Sequence, residues 1–543
     1  MARDRAADLE TLKGIHATAQ RGAHEEAANL AADALAGGLE HPLLLNLTAL
    51  RHEQQGNLGA AEAALRRAVE IAPRDVGSRN ALGLLLLRLE RPVEAFPHFM
   101  ALSKIEPALP FVHASLGNTF FALGLIAEAE ASYRRALELD AGHGVALAGL
   151  AHIASSRGIY VEARLLAERA LAALPGFPDA VMSLAAADLA ERDIASAEAR
   201  MRVLLEDARL SPLERAYANG QLGDVLDAKN YPAEAWASYT LCNQQLRALY
   251  AGRFGGGGNA LSYVTAMTQT FERGPAAVWS TRPSPDPRRT GAAGHVFLLG
   301  FPRSGTTLLE VVLEGHPNIV SLEENESMVG AVDEFMRRPG DPLGIAAAPE
   351  STLERLRSAY WRQVAAAEVD VGAKLFVDKN PLNTLKLPLI ARLFPDAKVL
   401  FACRDPRDIV LSCFRHRFKM SAPIYELLSL EGAARYYDAV MRLFLRLNGL
   451  LPLDICLVRH EDVVTGFRRE MKRICDFLGV EWDPAMGDFA LRTRQREALT
   501  PSTAQLVKGL STEGLGQWRR YAEFMEPVMP LLEPWIRQFL YDT

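Results

Sequence analysis

The sequence predicts a multidomain protein in which an all-α solenoid of helical repeats precedes an α/β domain with a central parallel sheet. Two observations carry that reading. An alanine-rich helical pattern returns every 34 residues from Leu44 to about Leu246. From His295 onward, short apolar runs alternate with helical stretches, and the first run leads straight into a glycine-bounded loop and a helix. The expected division is 1–250 for the repeats, 251–293 for a linker and 294–543 for the α/β domain.

At 543 residues the chain is too long for one hydrophobic core. Its 49% hydrophobic and 23% charged residues are ordinary for a globular protein, which sets disorder and fibrous classes aside. A net charge of −6 argues against nucleic acid as a partner. The first residues alternate charges without an apolar core, so no secretory leader is expected, and no apolar run reaches membrane-spanning length. Cys242, Cys403, Cys413, Cys456 and Cys475 form no CxxC pair and no cluster with histidine. Free thiols in a reducing cytoplasm are the expectation.

The repeat register holds position by position. The small residue of each first helix falls at Ala49, Gly83, Gly117, Ala151 and Ala185, and returns at Gly223 after a four-residue slip. The small residue of each second helix is Ala61, Ala95, Ala129, Ala163, Ala197 and Ala235, with bulky partners at Leu65, Phe99, Tyr133 and Tyr239. This is the spacing of tetratricopeptide repeats, where small residues let helices approach and bulky ones fill the gap between hairpins. A degenerate repeat with Ala27, and Ile15 in place of a small residue, is expected to cap the start. Such a stack offers a concave surface for a peptide or protein partner; the plainer reading is a spacer.

After Tyr250 the pattern stops. Gly255 to Gly258 and the Pro-rich stretch 281–294 read as linker, with one short helix between them at Ala260 to Arg273. Because the glycines follow no strand, flexibility is favoured over a phosphate cradle.

The α/β half opens with Val296 to Leu299 as a buried strand, Gly300 to Gly305 as a tight loop and Leu308 to Leu313 in a helix. Unpaired backbone N–H groups at a loop-to-helix turn favour an anion. The spacing of Gly300 and Gly305 is that of a P-loop, but Thr306 stands where the triphosphate-binding lysine belongs. The cation is instead Arg303, whose planar fork suits an oxyanion, so a phosphosulfate is the better ligand. Glu323 and Glu324 follow one short element later, as a proton acceptor or as a solvated acidic turn. A strand from Lys374 ends in Asp378, Lys379 and Asn380, where a lysine can reach a leaving group or is an ordinary surface lysine. The run Ala397 to Cys403 feeds a helix at Ile409 to Phe418 through Arg404 and Arg407, a second anion site. Ile455 to Val458 makes a further strand. Ligands of such sheets sit at the carboxyl ends of the strands.

The segments Gly300-Phe-Pro-Arg-Ser-Gly-Thr-Thr307 and Arg404-Asp-Pro-Arg-Asp-Ile-Val-Leu-Ser412 together resemble the 5′-phosphosulfate and 3′-phosphate signatures of sulfotransferases that use 3′-phosphoadenosine-5′-phosphosulfate, PAPS. Over about 294–530 the chain is most similar to tyrosylprotein sulfotransferases and to bacterial proteins that join tetratricopeptide repeats to such a domain. The resemblance implies a P-loop-like fold and donor contacts from Pro302, Arg303, Ser304, Gly305, Thr306 and Thr307. It also implies Glu324 as catalytic base, Lys379 on the leaving phosphate, and Arg404 and Ser412 as 3′-phosphate ligands. Ser502, in a closing loop, matches the serine that supports the transition state, and Lys508 matches a cover for the nucleotide. Three positions depart from the family pattern. Glu326 replaces an arginine that grips acidic peptides, His460 replaces a tyrosine near the nucleotide, and Gln517 replaces a basic residue before Trp518.

The reaction implied by the resemblance is in-line transfer of a sulfuryl group from PAPS to an acceptor hydroxyl, with no metal required. A peptide or protein tyrosine fits the resembled family and the repeats as acceptor, and a glycan, a lipid or a small hydroxylated metabolite fits the transfer chemistry equally well. Two rivals differ in class: a P-loop kinase, disfavoured by the missing lysine, and a repeat scaffold carrying an inactive nucleotide-binding domain.

Overall fold

The computed structural model describes residues 5–279, 291–495, 506 and 509–541. Ser502 and Lys508 therefore lie outside the described residues. The chain packs as two compact units, one of Met1–Ser155 with Ile159–Ala187, the other of Ser156–Gly158 with Asp188–Thr543.

The first unit consists of antiparallel helical hairpins, and the residues that set the sequence period make their contacts. Gly83 lies under the ring of Phe99, where an added Cβ would stand 2.6 Å from the ring. Gly117 meets Tyr133 in the same way at 2.5 Å, and the Tyr133 hydroxyl donates to Asn118 Oδ1 at 2.7 Å. Side-chain caps start the helices where the sequence supplies them: Asn57 accepts from the N–H of Ala60 and Asp75 from that of Ser78. The degenerate first hairpin, Arg5–Gln20 and His24–Ala36, buries Ile15 against Ala27, Ala31, Leu44 and Leu47.

The second unit opens with repeat helices Ile194–Glu206, Pro212–Ala228 and Pro232–Phe254. Gly223 lies under Tyr239, again with a would-be Cβ at 2.5 Å, and the Tyr239 hydroxyl donates to Asp224. The compact packing thus divides at Ala187, inside the repeat array, and the expected boundary at 250 falls within a continuous helix. Nor is the stretch 251–293 linker throughout. The helix Ala260–Arg273 buries Val264, Met267, Thr268 and Phe271, spaced i, i+3, i+4 and i+7, in the core beneath the sheet.

Five parallel strands form the sheet: β1 (Gly294–Gly300), β2 (Ile319–Glu323), β3 (Leu375–Lys379), β4 (Lys398–Cys403) and β5 (Asp454–Arg459). Their order is β2-β3-β1-β4-β5. Alternate residues serve the two faces, so Phe297, Leu299, Phe376, Val399 and Phe401 enter one core and Val296, Leu298, Val377 and Leu400 the other. On the first side Phe401 stacks on Phe444 of the helix Leu430–Asn448, with ring centroids 3.6 Å apart. The helices Thr306–Leu313 and Phe467–Leu478 pack on the second side. Burial on both faces makes β1 and β4 nearly continuous apolar runs, whereas the edge strand β5 exposes Leu457, and parallel pairing brings the ends of all five strands to one edge. All five cysteines are free and buried.

Candidate active site

At the end of β1 the loop Phe301–Gly305 turns into the helix Thr306–Leu313, with Thr306 and Thr307 buried in its first turn. The Gly300 carbonyl accepts from Thr384 Oγ1 at 2.7 Å, and the Pro302 carbonyl accepts from Cys413 Sγ at 3.4 Å. Gly305 has φ 98°, a left-handed conformation glycine adopts without strain. Its Cα faces the His460 ring so closely that a Cβ would stand 2.5 Å from Nδ1. Arg303, at φ 71°, and Glu324, at φ 43°, hold similar backbone with side chains attached. Such conformations cost about 1–3 kcal/mol each and persist where surrounding contacts enforce them.

The two anion signatures meet. Arg303 Nε donates to Ser412 Oγ at 2.9 Å, and Arg404 Nη1 donates to the Arg303 carbonyl at 3.2 Å. Arg404 also donates to the Gly514 carbonyl. Burial, joined by the nearby Arg404 charge, pulls Arg303 down to about 10. Ser304 Oγ and Arg404 Nε are buried without a hydrogen bond among the described residues. Two orphaned donors beside a helix N-terminus fit a polyanionic ligand, since leaving such groups unpaired is costly. His460, at the end of β5, is pulled down to about 3 by burial and by the charges of Arg404 and Arg303, so it presents a neutral ring at neutral pH. Arg407 does not join this site. Its guanidinium is held by Asp405 at 2.8 and 3.0 Å and lies 4.0 Å from the Trp518 ring centroid.

Beside the loop, at the ends of β2 and β3, Lys379 is fully buried among three carboxylates. Its Nζ lies 2.9 Å from Glu324 Oε1, 3.0 Å from Glu323 Oε1 and 3.3 Å from Glu310 Oε2. The register that pairs Glu323 with Lys379 makes this possible. Although burial alone would lower it, the Glu310, Glu323 and Glu324 charges leave the Lys379 ammonium above its ordinary value. The Glu324 N–H donates to the Lys379 carbonyl at 2.7 Å, while the Glu324 side chain remains 49% exposed and can reach an incoming group. Glu326 pairs with Lys386 at 2.6 Å. Glu310 belongs to none of the motifs, and its signal in the sequence is that it is the lone charge in the helix Thr306–Leu313. Among the described residues no group of three or more His, Cys, Asp or Glu side chains is arranged to hold a metal ion, and no helix is long and apolar enough to cross a membrane.

Residues 295–484 match the model of the sulfotransferase family, and 49–75 and 112–143 match the tetratricopeptide repeat. The chain is 24% identical to Protein-tyrosine sulfotransferase 1 of Danio rerio over 46% of its own length and 72% of the relative's. It is also 25% identical to an uncharacterized protein of Aquifex aeolicus, over 44% of its own length but about a third of the relative's, 32%. Among solved structures, the sulfotransferase domain from the Synechococcus PCC 7002 olefin synthase matches 48% of this chain and 100% of its own, at 22% identity and TM-score 0.29.

Proposed function

As the α/β part of this chain is a sulfotransferase-family domain that follows tetratricopeptide repeats, we propose that the protein transfers a sulfuryl group from PAPS to an acceptor hydroxyl. The observation that carries this is the hydrogen bond from Arg303 Nε to Ser412 Oγ, 2.9 Å, which unites the two anion signatures into one site. The protein-tyrosine sulfotransferase relatives and the repeats support a peptide or protein acceptor presented through its tyrosine. Free, buried cysteines support a reducing compartment.

PAPS supplies an activated sulfuryl group on a phosphate leaving group. The chain's residues do the rest. Backbone N–H groups from Gly305 to Thr307, the Ser304 hydroxyl and the Arg303 guanidinium hold the phosphosulfate oxygens, and Arg404 and Ser412 hold the 3′-phosphate. Glu324 accepts the acceptor's proton at its exposed carboxylate. Lys379 neutralises charge on the leaving oxygen. Once Glu324 takes a proton, Lys379 keeps Glu310 and Glu323 as partners, so the buried cation is never stranded.

Calorimetric titration with adenosine 3′,5′-bisphosphate, against ATP and with an Arg404→Ala variant, tests the reading. Selective binding that the variant loses is expected. Folded protein that binds no bisphosphate overturns it.

A further inference from the structure

We propose that Asp227, a residue of the last repeat hairpin, is a positioning residue of the donor site; the proposal rests on Arg303, Arg404 and Ser412 being donor ligands. The helix Pro406–Arg415 presents Asp408, Ser412 and Arg415 at i, i+4 and i+7, one stripe along its surface. Ser412, in the middle, accepts from Arg303. The two flanking residues face the segment Gly514–Tyr521. Asp408 accepts the N–H groups of Gly516 at 2.6 Å and Trp518 at 3.0 Å, and Arg415 donates to Gln517 Oε1 at 3.3 Å. The Gly514 carbonyl in turn accepts from Arg404. Arg404 and Ser412 are therefore braced through this segment.

Asp227 clamps that brace. Its Oδ2 accepts from Arg415 Nη2 at 2.6 Å, and its Oδ1 accepts from the Tyr521 hydroxyl at 2.5 Å and pairs with Arg520 at 3.1 Å. Its carbonyl accepts from Arg520 at 2.7 Å. One carboxylate, 13% exposed, thus ties the last turn of the Ser412 helix to the far end of the covering segment. Asp224, one turn earlier, makes a comparable pair with Arg417 at 2.5 Å, but its partners are Arg417 and Tyr239 rather than the segment. The two aspartates separate a clamp on the segment Gly514–Tyr521 from an ion pair that meets only the chain just beyond the Ser412 helix.

Charge alone predicts the opposite sign. Removing Asp227 leaves the Arg415 cation, which acts on Arg303, with only the Asp224 charge to offset it, which would tighten binding of an anion. Geometry should win, because displacing ligating groups by about 1 Å costs as much as a hundredfold, whereas a distant charge is screened.

The test uses the full chain with Asp227→Ala, Asp227→Asn and, as control, Asp224→Ala, reading bisphosphate affinity by calorimetry and amide exchange in the peptide covering 514–521. Asp227→Ala should bind about tenfold more weakly and exchange that peptide at least tenfold faster. Asp227→Asn, which keeps one acceptor oxygen, should show both losses at about threefold and serves if the alanine variant does not fold. Asp224→Ala should stay near the parent in both. Unchanged or tighter binding with unchanged exchange in either Asp227 variant overturns the proposal, as does an equal loss in Asp224→Ala. Parent protein that binds no bisphosphate overturns the donor reading itself, and the exchange data then decide the clamp alone.

Discussion

Lys379 Nζ lies 2.9 Å from Glu324 Oε1, so the proposed base and the proposed leaving-group cation form one ion pair. The Glu324 charge also acts on Arg303 of the donor loop, and it is replaceable by Glu310 and Glu323 for the lysine but not for an acceptor proton. Glu324→Gln should therefore reduce single-turnover sulfuryl transfer on the order of 10² to 10⁴ while leaving bisphosphate affinity and the thermal midpoint close to the parent. A loss of stability in place of turnover would assign Glu324 a structural role instead.

Removing the cation should cost stability as well as turnover. Lys379→Met leaves three carboxylates around an apolar side chain, and breaking a buried ion pair from one side costs on the order of 3–5 kcal/mol. Urea unfolding measures the loss. Adding Glu310→Gln should recover part of it, because the fully buried Glu310 is the carboxylate with least access to water.

Gly305 links the loop to β5. Gly305→Ala places a Cβ against His460 and holds alanine at φ 98°. Bisphosphate affinity should drop at least about tenfold, as a loop shifted off His460 misdirects the N–H groups of the helix start. A His460→Gly second change should restore some of it by removing the collision while leaving the strained φ.

Asp378, next to Lys379 in β3, gives the protein a pH signature. Burial, offset only in part by the Tyr360 hydroxyl at 2.7 Å and the Lys386 charge, pushes this carboxyl up to about 7. Below about pH 4 the folded and unfolded chains both carry the proton. Between about 4 and 7 the unfolded chain releases it and the folded chain keeps it, so the contribution of Asp378 to stability falls as pH rises and levels off above 7. Asp378→Asn removes this dependence. Its stability relative to the parent, from urea midpoints, should rise by up to about 1.4 kcal/mol per pH unit through that window. A constant difference across the window would mean Asp378 is ionised in the fold.

The repeats were legible because their contacts are local: Gly117 with Tyr133 and Gly223 with Tyr239 repeat one spacing inside one hairpin. Strands β1, β3 and β4 were legible as apolar runs, since a strand covered on both faces carries little polar alternation, and β5 was legible because its run Ile455 to Val458 is apolar although Leu457 is exposed. The helix Ala260–Arg273 was legible with its bounds, but the glycines and prolines around it hid that its i, i+3, i+4, i+7 stripe belongs to the core of the sheet domain. The expected helix at Ile409 to Phe418 begins instead at Pro406, where Asp405 caps it by accepting from the Arg407 N–H. The sequence offers two arginines, Arg404 and Arg407, for the second anion site. Asp405 takes one of them, because a cap residue two positions away reaches the Arg407 guanidinium more readily than a ligand can.

By itself the sequence determined what is set within a few residues: the 34-residue period, and a loop whose glycine must take positive φ and whose helix start must offer unpaired N–H groups. Only the tertiary structure decided which charges face one another. Glu310, Glu323 and Glu324 come from a helix, a strand end and the turn beyond it, and parallel pairing of β2 with β3 brings them around Lys379. Asp227 reaches Arg415 across 188 positions of chain, and the compact unit begins at Asp188 because such contacts bind the last repeats to the sheet domain. The physical reason is that the worth of a charge depends on its burial and on its partners through space, and neither is a property of neighbouring letters.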